Sequence, residues 1–293
     1  MRTDFVFDDG QRVQRIGLGT MRMADRPDQR SGPTAPIWNP PTDRDELIGF
    51  LRGAAEAGVN MFDTADAYAL GAGEELLAEA LAPIRSEVVI ATKIGNTRPT
   101  PEEWVPLGRP EYLRQQLELS LRRLRTDRID LLYLHRIDPS VPLADQLGVL
   151  EEARQQGKIR TIGISGVDAA QLAQAREVAP IGAVQNNYSI GDRTHDDIVE
   201  ITGAAGIAFV AFFPLTLGTA ADDPRFAEIA AAHGVAPTRL ALSWLLHRGD
   251  HILAIPGTTN PTHLRNNLAA ADLLLTPDEL SALDAAVIEK STR

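Results

Sequence analysis

The sequence predicts an α/β fold, a (β/α)8 barrel (TIM barrel) preceded by a β-hairpin. Eight apolar runs of strand length alternate with segments of helical patterning along the whole chain. No linker rich in Pro, Gly or Ser interrupts this alternation, so residues 1–293 are expected to form a single barrel domain. An open, doubly wound sheet is the alternative, but no Gly-x-Gly-x-x-Gly sequence opens a helix as that fold requires.

The hairpin is predicted at the N-terminus, where residues 5–7 and 12–13 flank an Asp-Gly turn. The barrel strands come next, and each is a short run rich in β-branched and other apolar residues. They are expected at residues 15–21, 60–64, 88–94, 129–134, 160–165, 183–186, 208–212 and 252–255.

Helix signals lie between these strands. Residues 42–45 have the spacing of a capping box, and Gly58 follows where that helix should end. Pro110 favours a helix start, and Asp168 stands at an N-cap position. Gly157 stands where a left-handed residue ends a helix.

Composition and charge exclude several classes of function. The formal net charge of -11 argues against binding to nucleic acid or to anionic lipid, since both need clustered Lys and Arg. The chain has no cysteine, hence no disulfide, thiol nucleophile or thiolate site, and we expect no metal. The N-terminus has no signal-peptide core, and Gly and Pro interrupt the uncharged stretch 201–221. We therefore expect a cytoplasmic protein that spans no membrane.

Four titratable residues lie at the ends of consecutive predicted strands: Asp63, Lys93 and His135 end the second, third and fourth, and Tyr68 follows the second. Such groups are costly in apolar runs unless they are paired or hydrated. Each has a structural explanation, as a turn cap, a buried ion pair, a core histidine or a packing tyrosine. Their shared position at the carboxyl end of a barrel favours a proton-transfer site instead.

These side chains suit protonation of a carbonyl oxygen while hydride reaches its carbon. The Lys93 ammonium is expected to lower the pKa of Tyr68, and Asp63 to orient Lys93. His135 is expected to donate a hydrogen bond to the carbonyl oxygen.

The sequence around these residues resembles the aldo-keto reductase superfamily over nearly its whole length. The resemblance implies that Asp63, Tyr68, Lys93 and His135 form the catalytic tetrad, with Tyr68 as the general acid in reduction. It also implies a small-molecule carbonyl substrate and a nicotinamide cofactor, usually NADP(H), with NAD(H) as the alternative. The matching motifs lie at residues 17–21, 62–68, 91–93 and 130–135.

The resemblance also implies a cofactor site along the barrel mouth. Ser165 and Gln185 resemble residues that hold the nicotinamide carboxamide, and Phe212 stands where an aromatic ring stacks on the nicotinamide. The implied cofactor residues are Gly19, Thr20, Met21, Asp63, Ser165, Gln185, Phe212, Phe213, Pro214, Leu215, Ile255, Gly257, Thr258, Thr259, His263, Asn266 and Asn267.

Four positions depart from the family pattern. Gly166 replaces a common asparagine, Ala69 stands where glycine is usual, and Phe213 replaces a small hydroxyl residue. His263 stands where Arg or Lys often meets the 2′-phosphate of NADP(H). Since an imidazole is mostly neutral above about pH 6.5, we expect the preference for NADP(H) to narrow as pH rises.

Two long connections, at residues 22–41 and 95–109, follow strands and are expected to form the walls of a substrate pocket. Their tryptophans favour a flat or aromatic aldehyde. The pattern at residues 37–44 is similar to a bacterial branch that includes pyridoxal reductases. The expected pocket residues are Met21, Trp38, Tyr68, Trp104 and His135.

Two other functions stay open at this stage. One is a cofactor-binding regulatory subunit with little turnover, as some relatives of this fold are. The other is a Schiff-base aldolase that uses Lys93 as the nucleophile, which leaves Tyr68 without a role. The sequence indicates no oligomeric state.

Overall fold

Eight parallel strands surrounded by helices form the architecture of the computed structural model, which describes residues 2–24 and 36–288. The strands are β1 Asp4–Val6, β2 Arg12–Gln14, β3 Leu18–Gly19, β4 Met61–Asp63, β5 Val89–Ile94, β6 Asn96–Thr97, β7 Val105–Pro106, β8 Ile129–Leu134, β9 Ile159–Ser165, β10 Ile181–Asn187, β11 Ala208–Phe212 and β12 Ile252–Ala254. The helices are α1 Arg44–Glu56, α2 Ala72–Leu81, α3 Pro110–Arg123, α4 Leu143–Gln155, α5 Ala169–Val178, α6 Asp196–Ala205, α7 Pro224–Ala232, α8 Pro237–His247, α9 Pro261–Leu268 and α10 Pro277–Ile288.

The sheet closes on itself, which confirms the barrel and rules out the open-sheet alternative. Its strand order is β3-β4-β5-β8-β9-β10-β11-β12, and every neighbouring pair is parallel. Isolated parallel bridges join Ile16 to Ala254 and Gly19 to Gly257 across the seam between β3 and β12. The carboxyl ends of all eight strands therefore meet at one mouth.

The first barrel strand is shorter than the predicted run at residues 15–21. A Cβ on Gly17 would lie 2.8 Å from the Met61 carbonyl oxygen, and one on Gly19 would lie 2.7 Å from that of Ile255. The chain thus passes its neighbours more closely than side chains allow, and regular pairing is limited to two residues. It then turns directly into a short 3-10 helix at Met21–Met23.

The predicted hairpin is present as the antiparallel pair β1 and β2. Its Phe7 and Val13 pack against the side chains that fill the barrel, including Met61 and Val89 at the first residues of β4 and β5. The hairpin therefore closes the amino-terminal end of the barrel. A second, larger core lies between the outer faces of the strands and the helices.

Two of the predicted helix boundaries are confirmed in detail. Asp168 forms a capping box with Gln171 at the start of α5, and Gly157 is left-handed after α4. At α1 the helix begins at Arg44, within the predicted start at residues 42–45, and a left-handed Gly58 follows its end as predicted. The capping box is not confirmed there, because among the described residues no side-chain cap hydrogen bond forms. Within residues 2–24 and 36–288, no helix has the length and apolar character that a membrane span needs.

A buried arginine holds the barrel seam together. Arg15 is fully buried, and its guanidinium donates hydrogen bonds to the carbonyl oxygens of Ile252 at 2.8 Å, Leu246 at 2.6 Å, Arg2 at 2.9 Å and Gly249. Burial lowers the pKa of Arg15 to about 10, so the side chain keeps its charge at neutral pH. One cation thus satisfies carbonyl groups from the N-terminus, α8 and β12.

We expect Arg15→Met to lower the free energy of unfolding by about 3 kcal/mol, because the carbonyl oxygens would lose their donors inside the protein. The matched control is Arg12→Met, in the same hairpin region, since the Arg12 side chain is 68% exposed. The free energy of unfolding of Arg12→Met should differ from that of the wild type by no more than about 0.5 kcal/mol. Urea unfolding measures both, and equal losses would contradict the role of Arg15.

Candidate active site

A cavity of about 600 Å³ opens at the carboxyl ends of the barrel strands. Three of the four predicted catalytic residues, Asp63, Tyr68 and His135, line it, and Lys93 lies buried beside them. The complete lining is Gly19, Met21, Arg22, Asp63, Tyr68, Asn96, Trp104, Pro106, His135, Arg136, Ser165, Gln185, Phe212, Phe213, Pro214, Leu215, Thr216, Ile255, Pro256 and Gly257.

A buried ion pair forms the floor of the site. Lys93 Nζ lies 2.5 Å from Asp63 Oδ1 and donates a second hydrogen bond to the Thr64 carbonyl oxygen at 2.7 Å. The other carboxylate oxygen, Oδ2, accepts a hydrogen bond from Gln185 Nε2 at 2.7 Å. Burial disfavours the charge on Lys93, but Asp63 and Tyr68 outweigh it, and the pKa of Lys93 is raised above its ordinary value. Lys93 is therefore an ammonium at neutral pH.

Tyr68 lies at the centre of this group. Lys93 Nζ is 5.2 Å from the centroid of the Tyr68 ring, and the rings of Trp104 and His135 meet it edge-on with centroids 6.2 and 6.1 Å away. Burial raises the pKa of Tyr68, and Lys93 only partly counteracts it. The expected lowering of the Tyr68 pKa is therefore wrong as a net effect, because desolvation of a phenolate outweighs the nearby ammonium. Tyr68 is a protonated acid at neutral pH.

His135 is a neutral imidazole. Burial, together with the positive charges of Lys93 and Arg136, holds the pKa of His135 well below its ordinary value. Its Nδ1 is buried and has no hydrogen-bond partner within the described part of the chain, while the ring lines the cavity. With the proton on Nε2, the ring is a hydrogen-bond donor that adds no charge to the site.

The loop after Tyr68 has an unusual backbone. Ala69, Leu70 and Gly71 have φ angles of 47°, 53° and 97°, so three residues in succession are left-handed. This explains why glycine is usual at position 69 in the family, since an alanine there is strained. At Gly71 a Cβ would lie 2.5 Å from Arg123 Nε, so that position has no room for a side chain.

The predicted cofactor residues fall into two groups. The first group lies at the strand ends, runs from Gly19 to Gly257 in chain order, and lines the cavity. Thr20 is the exception, because it is buried and its hydroxyl donates a hydrogen bond to the Asp63 carbonyl oxygen. The others do not line the cavity: they follow β12 or lie on α9, where Asn260 caps the helix by accepting from the Thr262 amide at 2.8 Å. This outer group is Thr258, Thr259, His263, Asn266 and Asn267.

The two long loops meet at an arginine, and this corrects the predicted substrate pocket. The Arg98 guanidinium lies over the Trp104 ring at 3.7 Å and near the Trp38 ring at 5.7 Å, and it donates to the carbonyl oxygens of Pro36 and Pro101. Trp104 lines the cavity, but Trp38 does not. Trp38 instead lies near the guanidinium that joins the loops. Residues 25–35 of the first loop lie outside the described residues.

Sequence reasoning missed Arg136, which lines the cavity directly after His135. Its Nη1 donates to the His135 carbonyl oxygen at 2.6 Å and to Ser165 Oγ at 2.9 Å. A charged residue just beyond a strand end was the available signal. The bond between Gln185 and Asp63 had no signal, because 122 residues separate the two in sequence.

Behind the site lies a second buried carboxyl group, Asp66. Its Oδ1 is buried without a hydrogen-bond partner among the described residues. Burial, and then the negative charge of Glu74, raise the pKa of Asp66 well above its ordinary value. Glu74 itself is held by Arg123 Nε at 2.6 Å and by the Thr92 hydroxyl at 2.6 Å. The negative charge of an ionised Asp66 is therefore unfavourable at this position.

We expect Asp66→Asn to be more stable than the wild type by a margin that grows with pH. Since the folded-state pKa is raised, the folded protein retains a proton that the unfolded chain releases above about pH 4, so wild-type stability falls as pH rises. The margin should grow by up to about 1.4 kcal/mol per pH unit. Urea unfolding across a pH series measures it.

Asp138→Asn is the control of opposite sign. Hydrogen bonds from the Gly108 amide and Ser140 lower the pKa of Asp138, so this carboxylate stabilises the fold at neutral pH and loses that effect as pH falls. Its variant should be less stable than the wild type at neutral pH and approach it in acid. Parallel pH profiles for the two variants would contradict both assignments.

Comparison with known proteins gives a consistent result. Residues 15–288 match the sequence model of the Aldo/keto reductase family. Pyridoxine 4-dehydrogenase of Escherichia coli is 38% identical over 278 residues, which cover 93% of this chain and 94% of that protein.

Two solved structures extend the similarity to the fold. A thermostable aldo-keto reductase in complex with the inhibitor epalrestat has a TM-score of 0.83 at 30% identity, over 98% of this chain and 100% of that one. An aldo/keto reductase from Klebsiella pneumoniae in complex with NADP and acetate has a TM-score of 0.78 at 26% identity, over 97% and 95% of the two chains.

Proposed function

The chain belongs to the aldo/keto reductase family, and we propose that it reduces an aldehyde or ketone to an alcohol with NADPH, Tyr68 being the proton donor. The observation that carries the proposal is the position of Tyr68 on the cavity wall, between the Lys93 ammonium and the neutral His135 ring. Protonation of a carbonyl by Tyr68 needs a cation to stabilise the phenolate and a hydrogen-bond donor to position the carbonyl oxygen, and Lys93 and His135 suit these two roles.

The cavity wall suits a nicotinamide dinucleotide. Ser165 and Gln185 present a hydroxyl and an amide, and the Phe212 ring offers an apolar face for a flat heterocycle. At the seam the wall is bare backbone, where a Cβ on Gly257 would lie 3.2 Å from the Gly19 carbonyl oxygen. The Klebsiella pneumoniae relative was solved with NADP. When bound, the cofactor supplies the hydride that reaches the carbonyl carbon.

Tyr68 supplies the proton. Because burial raises the pKa of Tyr68, the hydroxyl is protonated at neutral pH and ready to donate to a carbonyl oxygen. The transfer leaves a phenolate beside Lys93, whose positive charge stabilises it. Asp63 holds Lys93 in place through a 2.5 Å contact and keeps that ammonium charged.

His135 positions the carbonyl group. Its neutral ring meets the Tyr68 ring edge-on, so both can reach one oxygen atom at the cavity wall. A hydrogen bond from Nε2 would orient the carbonyl toward Tyr68 without competing for its proton, because the imidazole stays neutral. The Trp104 ring meets both of these rings edge-on, with each centroid 6.2 Å away, and adds an apolar wall beside them.

The aldolase alternative is disfavoured by the state of Lys93. A Schiff base needs an accessible neutral amine, whereas Lys93 is 1% exposed, paired with Asp63 and raised in pKa. Steady-state kinetics distinguish the other alternative, a regulatory subunit with little turnover. Steady turnover of a carbonyl compound would exclude it.

We expect Tyr68→Phe to lower kcat by at least about a hundredfold, since the proton donor is lost. NADPH affinity should persist, because Tyr68 is not assigned to hold the cofactor. The assay is loss of NADPH absorbance with a panel of aldehydes, ketones and pyridoxal. Pyridoxal is included because the Escherichia coli relative is a pyridoxine 4-dehydrogenase.

Tyr112→Phe is the matched control, because it removes a tyrosine hydroxyl that does not line the cavity. It should retain wild-type turnover. If Tyr68→Phe keeps its rate on the best substrate, the proposed mechanism is wrong. If the wild type turns over none of the panel, the regulatory alternative gains support.

We expect His263→Arg to increase the preference for NADPH over NADH by about tenfold at neutral pH, because a permanent guanidinium charge would stand where the resemblance places the 2′-phosphate. His263 is exposed on α9, after the capped helix start. His263→Gln is the control and should not increase the preference, since it adds no positive charge. Dissociation constants of both cofactors measured by fluorescence test this, and an unchanged preference in His263→Arg would contradict the placement of the phosphate.

A further inference from the structure

Arg136 is a cation on the cavity wall that the catalytic scheme does not use. Among the described residues it forms no ion pair with a carboxylate, and its hydrogen-bond acceptors are the His135 carbonyl oxygen and Ser165 Oγ. Its guanidinium carbon lies 5.9 Å from the Phe212 ring centroid. An arginine has five N–H donors, so donors remain for the cavity.

The positive charge of Arg136 is not balanced by the rest of the site. Asp63 is the one carboxylate that lines the cavity within the described part of the chain, and Lys93 already neutralises it. Tyr68 is protonated and His135 is neutral, so neither offsets a cation.

The backbone beside Arg136 leaves space for the guanidinium. Gly166 is left-handed, with φ of 68°, and a Cβ there would lie 3.1 Å from both the guanidinium carbon and Nη1 of Arg136. A side chain at position 166 would therefore require the Arg136 guanidinium to shift by a few tenths of an ångström. The guanidinium thus lies among Ser165, Gly166 and Phe212, where the proposed function places the nicotinamide.

We propose that Arg136 makes the site bind the reduced cofactor in preference to the oxidised one. This inference rests on the proposed function. The dihydronicotinamide ring is neutral, and loss of a hydride, two electrons with one hydrogen nucleus, leaves a ring with one positive charge. A fixed cation beside the ring disfavours only the oxidised form. The phosphates carry the same charge in both forms, so they do not contribute to the difference.

Arg136 is on this view a positioning residue that acts through charge. The experiment measures dissociation constants of NADPH and NADP+ for the wild type, Arg136→Met and Arg136→Lys by titration calorimetry, without substrate. The ratio of the NADP+ to the NADPH constant should fall about tenfold in Arg136→Met, as expected for loss of one nearby charge in a protein environment. In Arg136→Lys it should stay within about threefold of the wild type, because the charge is kept.

Arg136→Gln provides a second neutral variant. Its side-chain amide keeps a hydrogen-bond donor near the His135 carbonyl oxygen and Ser165 Oγ but removes the positive charge. The ratio should fall here as well. This variant keeps the inference testable if Arg136→Met does not fold.

The outcomes separate the two proposals. A ratio that is unchanged in Arg136→Met, or that falls equally in Arg136→Met and Arg136→Lys, overturns the role of charge and leaves a structural role. Wild-type protein that binds neither NADPH nor NADP+ contradicts the proposed function itself. A ratio that follows the charge at position 136 supports the inference whatever the carbonyl substrate is.

Discussion

The buried contact between Lys93 and Asp63 is the interaction on which the site depends. Both side chains are almost fully buried, so removal of either partner would leave a charge inside the protein without its counter-charge. Gln185 and the Thr64 carbonyl oxygen occupy further hydrogen-bonding positions of the pair. Contacts from β4, β5 and β10 thus meet in one network, which fixes the strand ends against one another and provides the cation beside Tyr68.

The titratable groups at the barrel mouth keep fixed protonation states around neutral pH. Burial keeps Tyr68 protonated and His135 neutral, while Asp63 keeps Lys93 charged. Under the proposed function, a carbonyl that enters the cavity meets an acid and a neutral hydrogen-bond donor, with a fixed ammonium beside the acid. Such preorganised groups stabilise the charge that develops during reaction without reorienting. According to the further inference, the Arg136 cation also disfavours binding of the positively charged, oxidised nicotinamide ring in this cavity.

The described parts of the two long loops pack around a cation. Arg98 is nearly buried, and it bonds carbonyl groups of both long loops while two tryptophans flank its guanidinium. One loop is thereby attached to the other, and Trp104 is directed into the cavity. A buried arginine plays the same role at the barrel seam, where the Arg15 guanidinium donates hydrogen bonds to carbonyl groups from three parts of the chain. Guanidinium groups suit this role because their donors are spread in a plane.

The sequence by itself determined the barrel, its hairpin and the grouping of Asp63, Tyr68, Lys93 and His135, because strand periodicity and residue order place the carboxyl ends of successive parallel strands together. Tertiary structure decided what depends on burial and on distant contacts. It raised rather than lowered the pKa of Tyr68, since desolvation is a property of the packed site. It also left Trp38 out of the cavity lining and brought Gln185 to Asp63 and Arg136 to Ser165. Such contacts join residues far apart in the chain, and no local pattern encodes them.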